Sequence, residues 1–360
     1  MNPLGRRIAA LIAAQGPISL AEFMTMALHD SAEGYYATRN PLGTDFITAP
    51  EASQMFGELI GLWLAQTWHD QGKLKRPRLI ELGPGRGTLM ADALRATKRM
   101  PEFHDTLDVV LVEASPVLRK VQEETLRDCG VAVRWSTNFE PMSDGRPLFL
   151  VANEFFDALP IRQYVKTGRG WCERMVTLDA EGALAFALAP SPAPLVPPNR
   201  DGAPNGGVYE QNAAGEAICE LLGHAIARDG GAALIVDYGY SVPGFGETLQ
   251  AVKSHSFADV LSDPGAGDLS AHVDFKALCD AAARGGASVC GPVEQGAFLL
   301  SLGLRERAGA LSNTARARWD IATLDSIRLA VERLVGQDQM GRLFKVLGIV
   351  PKSAPTPPGF

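Results

Sequence analysis

The residues with the clearest capacity for chemistry are an acid and three glycines in residues 78–88, which read RLIELGPGRGT. The apolar run predicts a short strand buried on both faces, with Glu81 near its carboxyl end. Gly83, Gly85 and Gly87 follow at alternate positions and open a turn into a helix. Glycine lacks a Cβ, so a ligand can approach the main chain closely there. In an open α/β sheet, nucleotide-like ligands bind past the carboxyl ends of the strands, and we therefore predict a ligand site at this turn.

The spacing of the glycines separates the classes of nucleotide. A dinucleotide fingerprint needs G-x-G-x-x-G or A, but Thr88 stands at its last position and Gly87 comes one place early. A P-loop would need Gly-Lys-Ser or Gly-Lys-Thr after a longer loop, and the stretch contains neither. The pattern E-x-G-x-G-x-G instead resembles the first motif of Rossmann-like S-adenosylmethionine-dependent methyltransferases, where the acid and glycines surround the methionyl part of the cofactor. A purely structural strand-to-helix turn is the alternative.

A second acid follows one strand later. Residues 107–113, LDVVLVE, form another apolar run that ends in Glu113, and Ser115 and Pro116 then supply a helix N-cap and a proline at the first helical position. In such folds an acid at the end of the second strand holds the ribose hydroxyls, since a carboxylate can accept from both. Glu113 is the candidate ribose ligand. A solvated strand end is the alternative.

Polar residues also follow the later predicted strands. Asn138 and Phe139 come after the strand at residues 131–136 and offer an amide for the edge of a base and an aromatic ring for its face. The strand at residues 147–152 ends in NEFFDALP, which places Asn153, Glu154 and Asp157 where a doubly wound sheet faces the reacting atom of its cofactor.

Two further stretches contribute candidates. The buried strand at residues 232–237 ends in a polar segment that contains Tyr238. A polar and aromatic loop at residues 34–51 precedes a long helix at about residues 52–71, and from it Thr48, Pro50 and Glu51 are predicted to bind the cofactor. The alternative for this loop is a surface segment with two buried tyrosines.

Composition limits the possible partners and compartment. The net charge of −7 argues against general nucleic-acid binding and suits a basic peptide or a cationic cofactor. The five cysteines form no C-x-x-C pair, so neither a zinc site nor a disulfide framework is indicated, and the two histidines of residues 255–272 are too far apart for a local metal motif. No apolar run is long enough to span a membrane and the N-terminus has no cleavage pattern, which predicts a cytosolic protein without membrane insertion. The sequence leaves the oligomeric state open.

The chain order predicts a decorated α/β domain. We expect an N-terminal helical cap with the functional loop (1–50), the first part of the core (51–160), an inserted hairpin subdomain (161–212), the second part of the core (213–350) and a disordered proline-rich tail (351–360). Helices are expected near residues 274–284, 297–308 and 315–335, and residues 255–272 are expected to form a loop.

Several of these stretches together resemble one family, the MidA-like methyltransferases. The similar blocks span nearly the whole chain and are residues 43–57 (GTDFITAPEASQMFG), 81–87 (ELGPGRG), 153–160 (NEFFDALP), 236–239 (VDYG), 267–275 (GDLSAHVDF) and 340–347 (MGRLFKVL). The resemblance implies a Rossmann-like S-adenosylmethionine-dependent methyltransferase, to which the sequence pattern adds a helical N-terminal cap and an inserted hairpin-rich subdomain. It also implies a protein substrate, because the mitochondrial members assist assembly of respiratory complex I and dimethylate an arginine on one of its subunits.

The resemblance carries the cofactor role onto the glycine turn and Glu113. An arginine acceptor has to be held and to lose a proton, and carboxylates do both, so Glu154 and Asp157 are the predicted catalytic acids with Asn153 and Tyr238 as neighbours. Two alternatives stay open: methylation of a small molecule or another side chain, and a non-catalytic assembly factor that binds the cofactor.

Overall fold

The structure is a computed structural model that describes residues 1–38, 48–140, 144–194 and 202–360. The chain forms two compact units. The first unit comprises Met1–Phe46, Asp157–Gly215 and Val242–His272, and the second comprises Ile47–Phe156, Glu216–Ser241 and Val273–Phe360. The first unit therefore contains the N-terminal helices and the hairpin segment. It also contains residues 242–272, which were expected to belong to the core.

The helices of the described residues, in chain order, are α1 (Pro3–Gln15), α2 (Leu20–His29), α3 (Tyr35–Thr38), α4 (Ala49–Ala52), α5 (Gln54–Asp70), α6 (Thr88–Thr97), α7 (Pro101–His104), α8 (Pro116–Thr125), α9 (Ala213–Asp229), α10 (Phe275–Arg284), α11 (Gln295–Ser301), α12 (Leu304–Ala317), α13 (Ile321–Val335) and α14 (Met340–Leu343). As predicted, Ser115 caps α8: its side chain accepts from the Leu118 N–H, and Pro116 is the first helical residue.

The strands are β1 (Ile18–Ser19), β2 (Arg78–Leu82), β3 (Asp108–Val112), β4 (Val133–Ser136), β5 (Leu148–Asn153), β6 (Arg162–Thr167), β7 (Gly170–Leu178), β8 (Leu184–Leu188), β9 (Val208–Gln211), β10 (Gly231–Tyr240), β11 (Gln250–Lys253), β12 (Ser256–Ala258), β13 (Asp268–Ser270), β14 (Val273–Asp274), β15 (Ser288–Glu294) and β16 (Phe344–Val350).

The second unit is built on one large sheet with the strand order β15-β16-β10-β5-β2-β3-β4. Strands β10, β5, β2, β3 and β4 run parallel, whereas β16 is antiparallel to both β10 and β15. Strand β2 lies between β3 and β5, so the order of the chain reverses at β2. The carboxyl ends of β2 and β5 therefore flank a topological switch point, which is where ligands bind in open α/β sheets.

The core of the second unit explains why β2 reads as a continuous apolar run. All five of its residues are buried, as expected for a central parallel strand covered on both faces. On one side α5 packs against α6, and the contact is close because glycines face α6. A Cβ added at Gly61 would lie 2.6 Å from the Ala93 Cα, which is closer than side chains pack.

The first unit contains two antiparallel sheets. One has the order β1-β7-β6-β9, and β8 pairs with residues 174–178 of β7. The other has the order β12-β11-β13. The alternating pattern of residues 161–189 thus forms hairpins. The stretch at 255–272 is not the plain loop that was expected, because β12 and β13 both pair with β11 there. No described helix combines the length and apolar character that crossing a bilayer requires.

The C-terminal region differs from expectation in two ways. Two helices were expected at residues 297–335, but the structure has three, α11, α12 and α13. Gly303 and Trp319 have left-handed backbones (φ 91° and 55°), which interrupt the helical path between them. The tail at 351–360 was expected to be disordered, but it is ordered. The Trp63 indole N–H donates to the Pro358 carbonyl (3.0 Å), and the Phe360 ring packs on Phe298 with 5.3 Å between centroids. Aromatic burial therefore outweighs the proline-rich composition.

Candidate functional site

The glycine turn after β2 has the backbone that its composition predicted. Gly83, Gly85 and Gly87 all have positive φ (61°, 55° and 80°), a region that other residues rarely adopt. The Gly83 N–H donates to the Val112 carbonyl (3.1 Å), which ties the turn to the end of β3. A Cβ on residue 83 would lie 2.9 Å from the Phe155 ring, so the turn has room only for glycine there. Helix α6 begins directly afterwards.

Glu81 is a buried acid in the middle of this arrangement. Its side chain is 3% exposed, and its Oε2 has no hydrogen-bond partner among the described residues. Burial, and secondarily the nearby carboxylate of Glu113, raise the pKa of Glu81 to about 8. A buried carboxyl oxygen without a partner is unfavourable, so this group is suited to a ligand that brings a donor or a positive charge.

Glu113 is also buried, but its carboxylate is held on both oxygens. Its Oε1 accepts from the Ser115 N–H (2.7 Å) and its Oε2 from the Gln122 side chain (3.1 Å). Burial raises the pKa of Glu113, and these two hydrogen bonds oppose the rise. The Arg119 guanidinium donates to the Glu113 carbonyl (2.8 Å from Nε), so the main chain is fixed as well. The solvated-end alternative for Glu113 therefore does not describe this side chain.

Asn138 and Phe139 lie in the turn after β4, beside the Glu113 strand end. The Glu113 N–H donates to the Ser136 carbonyl (2.9 Å), and the Ser136 hydroxyl donates to the Asn138 carbonyl (2.8 Å). Asn138 is exposed and Phe139 is half-buried. The structure thus places the two candidate base-contacting residues next to the candidate ribose acid.

The second half of the predicted loop also reaches the glycine turn. Thr48 is the N-cap residue of α4, and Pro50 lies in its first turn. The Glu51 carboxylate accepts from the Thr88 hydroxyl (2.7 Å) and lies 3.7 Å from the Arg86 guanidinium. Residues 39–47, the middle of that loop, lie outside the described residues.

Asn153 and Glu154 lie together at the end of β5. Glu154 has a left-handed backbone (φ 50°), and its N–H donates to the Val236 carbonyl (2.9 Å). Its Oε1 accepts from the Ala49 N–H (3.2 Å) and from the Asn153 amide (3.1 Å). The Asn153 Oδ1 is buried and has no hydrogen-bond partner among the described residues. A non-glycine residue held at positive φ is unfavourable and is typical of functional turns.

Asp237 holds this turn, although it was not among the predicted site residues. It is fully buried, and its Oδ2 accepts from the N–H groups of Phe155 (3.2 Å) and Phe156 (2.9 Å). Its Oδ1 accepts from the Tyr238 N–H (2.9 Å). The Tyr238 ring packs against Phe344, with 5.4 Å between centroids. An acid within the apolar run LIVDYG was a signal that could have identified Asp237.

Asp157 belongs to the first unit, where it lies near a tyrosine and a second acid. Its carbonyl accepts from the Ala271 N–H (3.0 Å). The Tyr36 hydroxyl donates to Asp268 (2.7 Å), and the pKa of Tyr36 is raised well above its usual range by burial and by the charges of Asp268 and Asp157. Among the described residues no group of histidines, cysteines and acids is arranged to hold a metal ion.

Comparison with known proteins identifies the family. A family model of S-adenosyl-L-methionine-dependent methyltransferases matches residues 59–293. The chain belongs to this methyltransferase family. The predicted Rossmann-like fold, the methyltransferase activity and S-adenosyl-L-methionine as the cofactor are thereby confirmed.

Similar proteins match this methyltransferase along almost its whole length. A mouse (Mus musculus) protein named protein arginine methyltransferase NDUFAF7, mitochondrial, is 36% identical over 98% of this chain and 85% of its own. A zebrafish (Danio rerio) protein of the same name is 35% identical over 96% and 86%. A crystal structure from Burkholderia thailandensis with bound S-adenosyl-homocysteine is 30% identical, has a TM-score of 0.85 and covers 98% of this chain and 93% of its own.

The relatives also correct one expectation. The mouse and zebrafish proteins are named as mitochondrial, which contradicts the predicted cytosolic location. That prediction used only the lack of a long apolar run and of a cleavage pattern, and neither observation distinguishes these compartments.

The residues of the methyltransferase site fit S-adenosyl-L-methionine. The cofactor carries a sulfonium and an ammonium group, both positive, and a ribose with two hydroxyls. The partnerless oxygen of Glu81 suits a cationic ligand, and the glycine turn directly after it carries no side chains that would keep a ligand from the main chain. The Glu113 carboxylate, already oriented by two donors, suits hydroxyl groups.

Proposed function

We propose that this methyltransferase transfers a methyl group to the side chain of an arginine in a protein, and that the protein is a subunit of respiratory complex I. The names of the mouse and zebrafish relatives support an arginine acceptor, and the resemblance of the sequence blocks to the MidA-like family supports the complex I subunit. The net charge of −7 suits a basic acceptor segment.

The cofactor roles follow the positions of the residues at the carboxyl edge of the sheet. In this proposal Glu81 and the glycine turn hold the methionyl part, and Glu113 accepts from the ribose hydroxyls. Asn138 and Phe139 flank the base. Thr48, Pro50 and Glu51 complete the site, and the Glu51 contact with Thr88 attaches their segment to the start of α6. Bound S-adenosyl-L-methionine supplies a methyl group that its sulfonium already activates, so positioning and exclusion of water are the main tasks left to the protein.

The observation that carries the acceptor assignment is the Glu154 turn. A carboxylate can pair with both nitrogens of a guanidinium and can accept its proton, and Glu154 is held in a strained backbone at the end of β5. The Ala49 N–H and the Asn153 amide fix one of its oxygens. We assign Glu154 as the acid that holds the guanidinium and accepts its proton. Asp157, three residues further along the chain, is the second candidate acid, and Asn153 and Tyr238 are the further candidates at the ends of β5 and β10.

The test is transfer of an isotopically labelled methyl group to defined acceptors. The full chain is incubated with labelled S-adenosyl-L-methionine and arginine-containing peptides of complex I subunits, the same peptides with lysine in place of arginine, and a panel of free metabolites. Mass spectrometry showing label only on the arginine peptides supports the proposal. Label on metabolites or lysine peptides, or cofactor binding without transfer to any of these acceptors, overturns it.

A variant pair tests the role of Glu154. Glu154→Gln removes the charge that holds the guanidinium and accepts its proton, so transfer should fall by at least about 100-fold, while cofactor affinity changes little. Glu124→Gln, an exposed acid on α8, is the matched control and should keep full activity. Full activity in Glu154→Gln would refute the assignment.

A further inference from the structure

One buried amide connects the glycine turn to the candidate ribose acid. Gln122 on α8 is fully buried. Its Nε2 donates to the Gly85 carbonyl (2.7 Å) and to the Glu113 Oε2 (3.1 Å). Its Oε1 accepts from the Trp135 indole N–H (2.8 Å). The side chain thus contacts the turn after β2, the acid after β3 and a ring on β4.

These partners fix the orientation of the amide. The Trp135 indole can only donate, so the amide oxygen has to face it. The amide NH₂ group then faces a carbonyl oxygen and a carboxylate oxygen, which can only accept. Rotating the amide by half a turn would place oxygen against oxygen at two positions and N–H against N–H at the third. A single arrangement of the three partners is therefore strongly preferred.

An apolar side chain would fill the same buried space with a different result. It would leave the Gly85 carbonyl, the Glu113 Oε2 and the Trp135 N–H without these hydrogen bonds in a buried setting, which is unfavourable. The bond from Gln122 is also one of the contacts that oppose the burial-induced rise in the pKa of Glu113, so it favours the charged carboxylate.

We propose that Gln122 is a positioning residue for cofactor binding, which holds the Gly85 carbonyl and the Glu113 carboxylate in one fixed relative geometry. The inference rests on the proposed role of Glu113 as the ribose acid. The Gln122 amide has no free proton for a ligand, since Gly85 and Glu113 take both, so it acts through these two groups.

The test is calorimetric titration of the full chain with S-adenosyl-homocysteine. We expect each variant to weaken binding about tenfold or more, because Gln122→Leu removes a buried hydrogen bond to a charged group and Glu113→Gln removes that charge. The decisive measurement is the double variant. If Gln122 acts largely through Glu113, Gln122→Leu should have a severalfold smaller effect in the Glu113→Gln background than in the wild type.

Two further variants separate positioning from folding. Leu118→Ala, one turn earlier on the same buried face of α8, removes packing without removing a polar group from the site, so it should lower the melting temperature and leave affinity near wild type. Trp135→Phe removes the donor that orients the amide, together with part of the ring, but keeps both bonds donated by Gln122, so it should weaken binding less than Gln122→Leu does.

The outcomes are distinguishable. The inference is supported if Gln122→Leu binds S-adenosyl-homocysteine more weakly than the wild type does and if this loss of affinity is smaller in the Glu113→Gln background. Weak binding by Glu113→Gln with unchanged binding by Gln122→Leu overturns the inference and leaves the ribose assignment in place. Unchanged binding by Glu113→Gln removes the ribose assignment and this inference together, and a loss of affinity in Leu118→Ala equal to that in Gln122→Leu attributes the effect to folding.

Discussion

The burial of Glu81 predicts an unusual dependence of stability on pH in the cofactor-free protein. Glu81 lies in the central strand β2 with a pKa raised to about 8, chiefly by burial and secondarily by the facing Glu113 carboxylate. In the unfolded chain the carboxyl group has its ordinary pKa of 4.5. Folding therefore raises the affinity of Glu81 for its proton, and stability is linked to pH through that difference.

The sign and size follow from the two pKa values. Below pH 4.5 both states hold the proton, and the favourable contribution of a protonated Glu81 is fully present. Between pH 4.5 and about 8 the unfolded chain releases the proton while the folded chain keeps it, so the stability falls as the pH rises. The shift corresponds to roughly 5 kcal/mol in total. Glu81→Gln cannot ionise, so it should lose this contribution to the pH dependence.

The assay is urea denaturation of the wild type and of Glu81→Gln without cofactor, at about pH 5 and about pH 8. Titratable groups unaffected by the substitution cancel in the comparison, so the wild type should lose several kcal/mol relative to the variant between the two pH values. Glu113→Gln is the companion variant. It removes the charge facing Glu81 and should reduce this loss without abolishing it, because burial is the larger cause. An equal stability difference at both pH values would refute the reasoning.

Four further predictions concern the strand ends and the tail. Gly83→Ala should reduce cofactor affinity and melting temperature, because its backbone has positive φ and its Cβ would meet the Phe155 ring; unchanged calorimetric binding would contradict this. Glu154→Gly should raise the free energy of unfolding by about 1 kcal/mol, because the backbone strain is relieved, and should abolish methyl transfer; retained transfer would be the contrary result. Asp237→Asn should lower transfer with little change in cofactor affinity, whereas equal losses in both would indicate general unfolding. Deleting 352–360 should lower the unfolding midpoint in urea, since it removes aromatic burial, and an unchanged midpoint would show the tail to be dispensable.

The parts of the site that the sequence predicts well depend on local chemistry. The left-handed backbone at residues 83, 85 and 87 favours glycine, and the proline after Ser115 marks the start of α8, so these features appear directly in the residue types. The apolar run of β2 likewise reflects its central place in the sheet. The sequence also indicates that the loop after β5 is ordered, because two phenylalanines stand between Glu154 and Asp157 and a solvated loop rarely carries such residues.

The parts that the sequence misses depend on contacts between distant residues. Gln122 is one polar residue on an amphipathic helix, and its importance appears only when Gly85 and Trp135 are brought beside it. Asp237 contacts main-chain groups some 80 positions earlier in the chain. The tail looks disordered by composition because its partners, Trp63 and Phe298, are far from it in the sequence.

Residues on both sides of the proposed site have left-handed backbones with positive φ, but the residue types differ. On the cofactor side the left-handed positions are glycines, which carry no steric penalty and leave room for a ligand. On the acceptor side Glu154 occupies that region at a penalty of about 1 to 3 kcal/mol, and the buried Asp237 offsets it by accepting from the next two N–H groups. A glycine at residue 154 would form the same turn without backbone strain, so the strain would not need to be offset by Asp237. In the proposed function the carboxylate at this strained position serves the acceptor, in addition to its hydrogen bonds with the Ala49 N–H and the Asn153 amide.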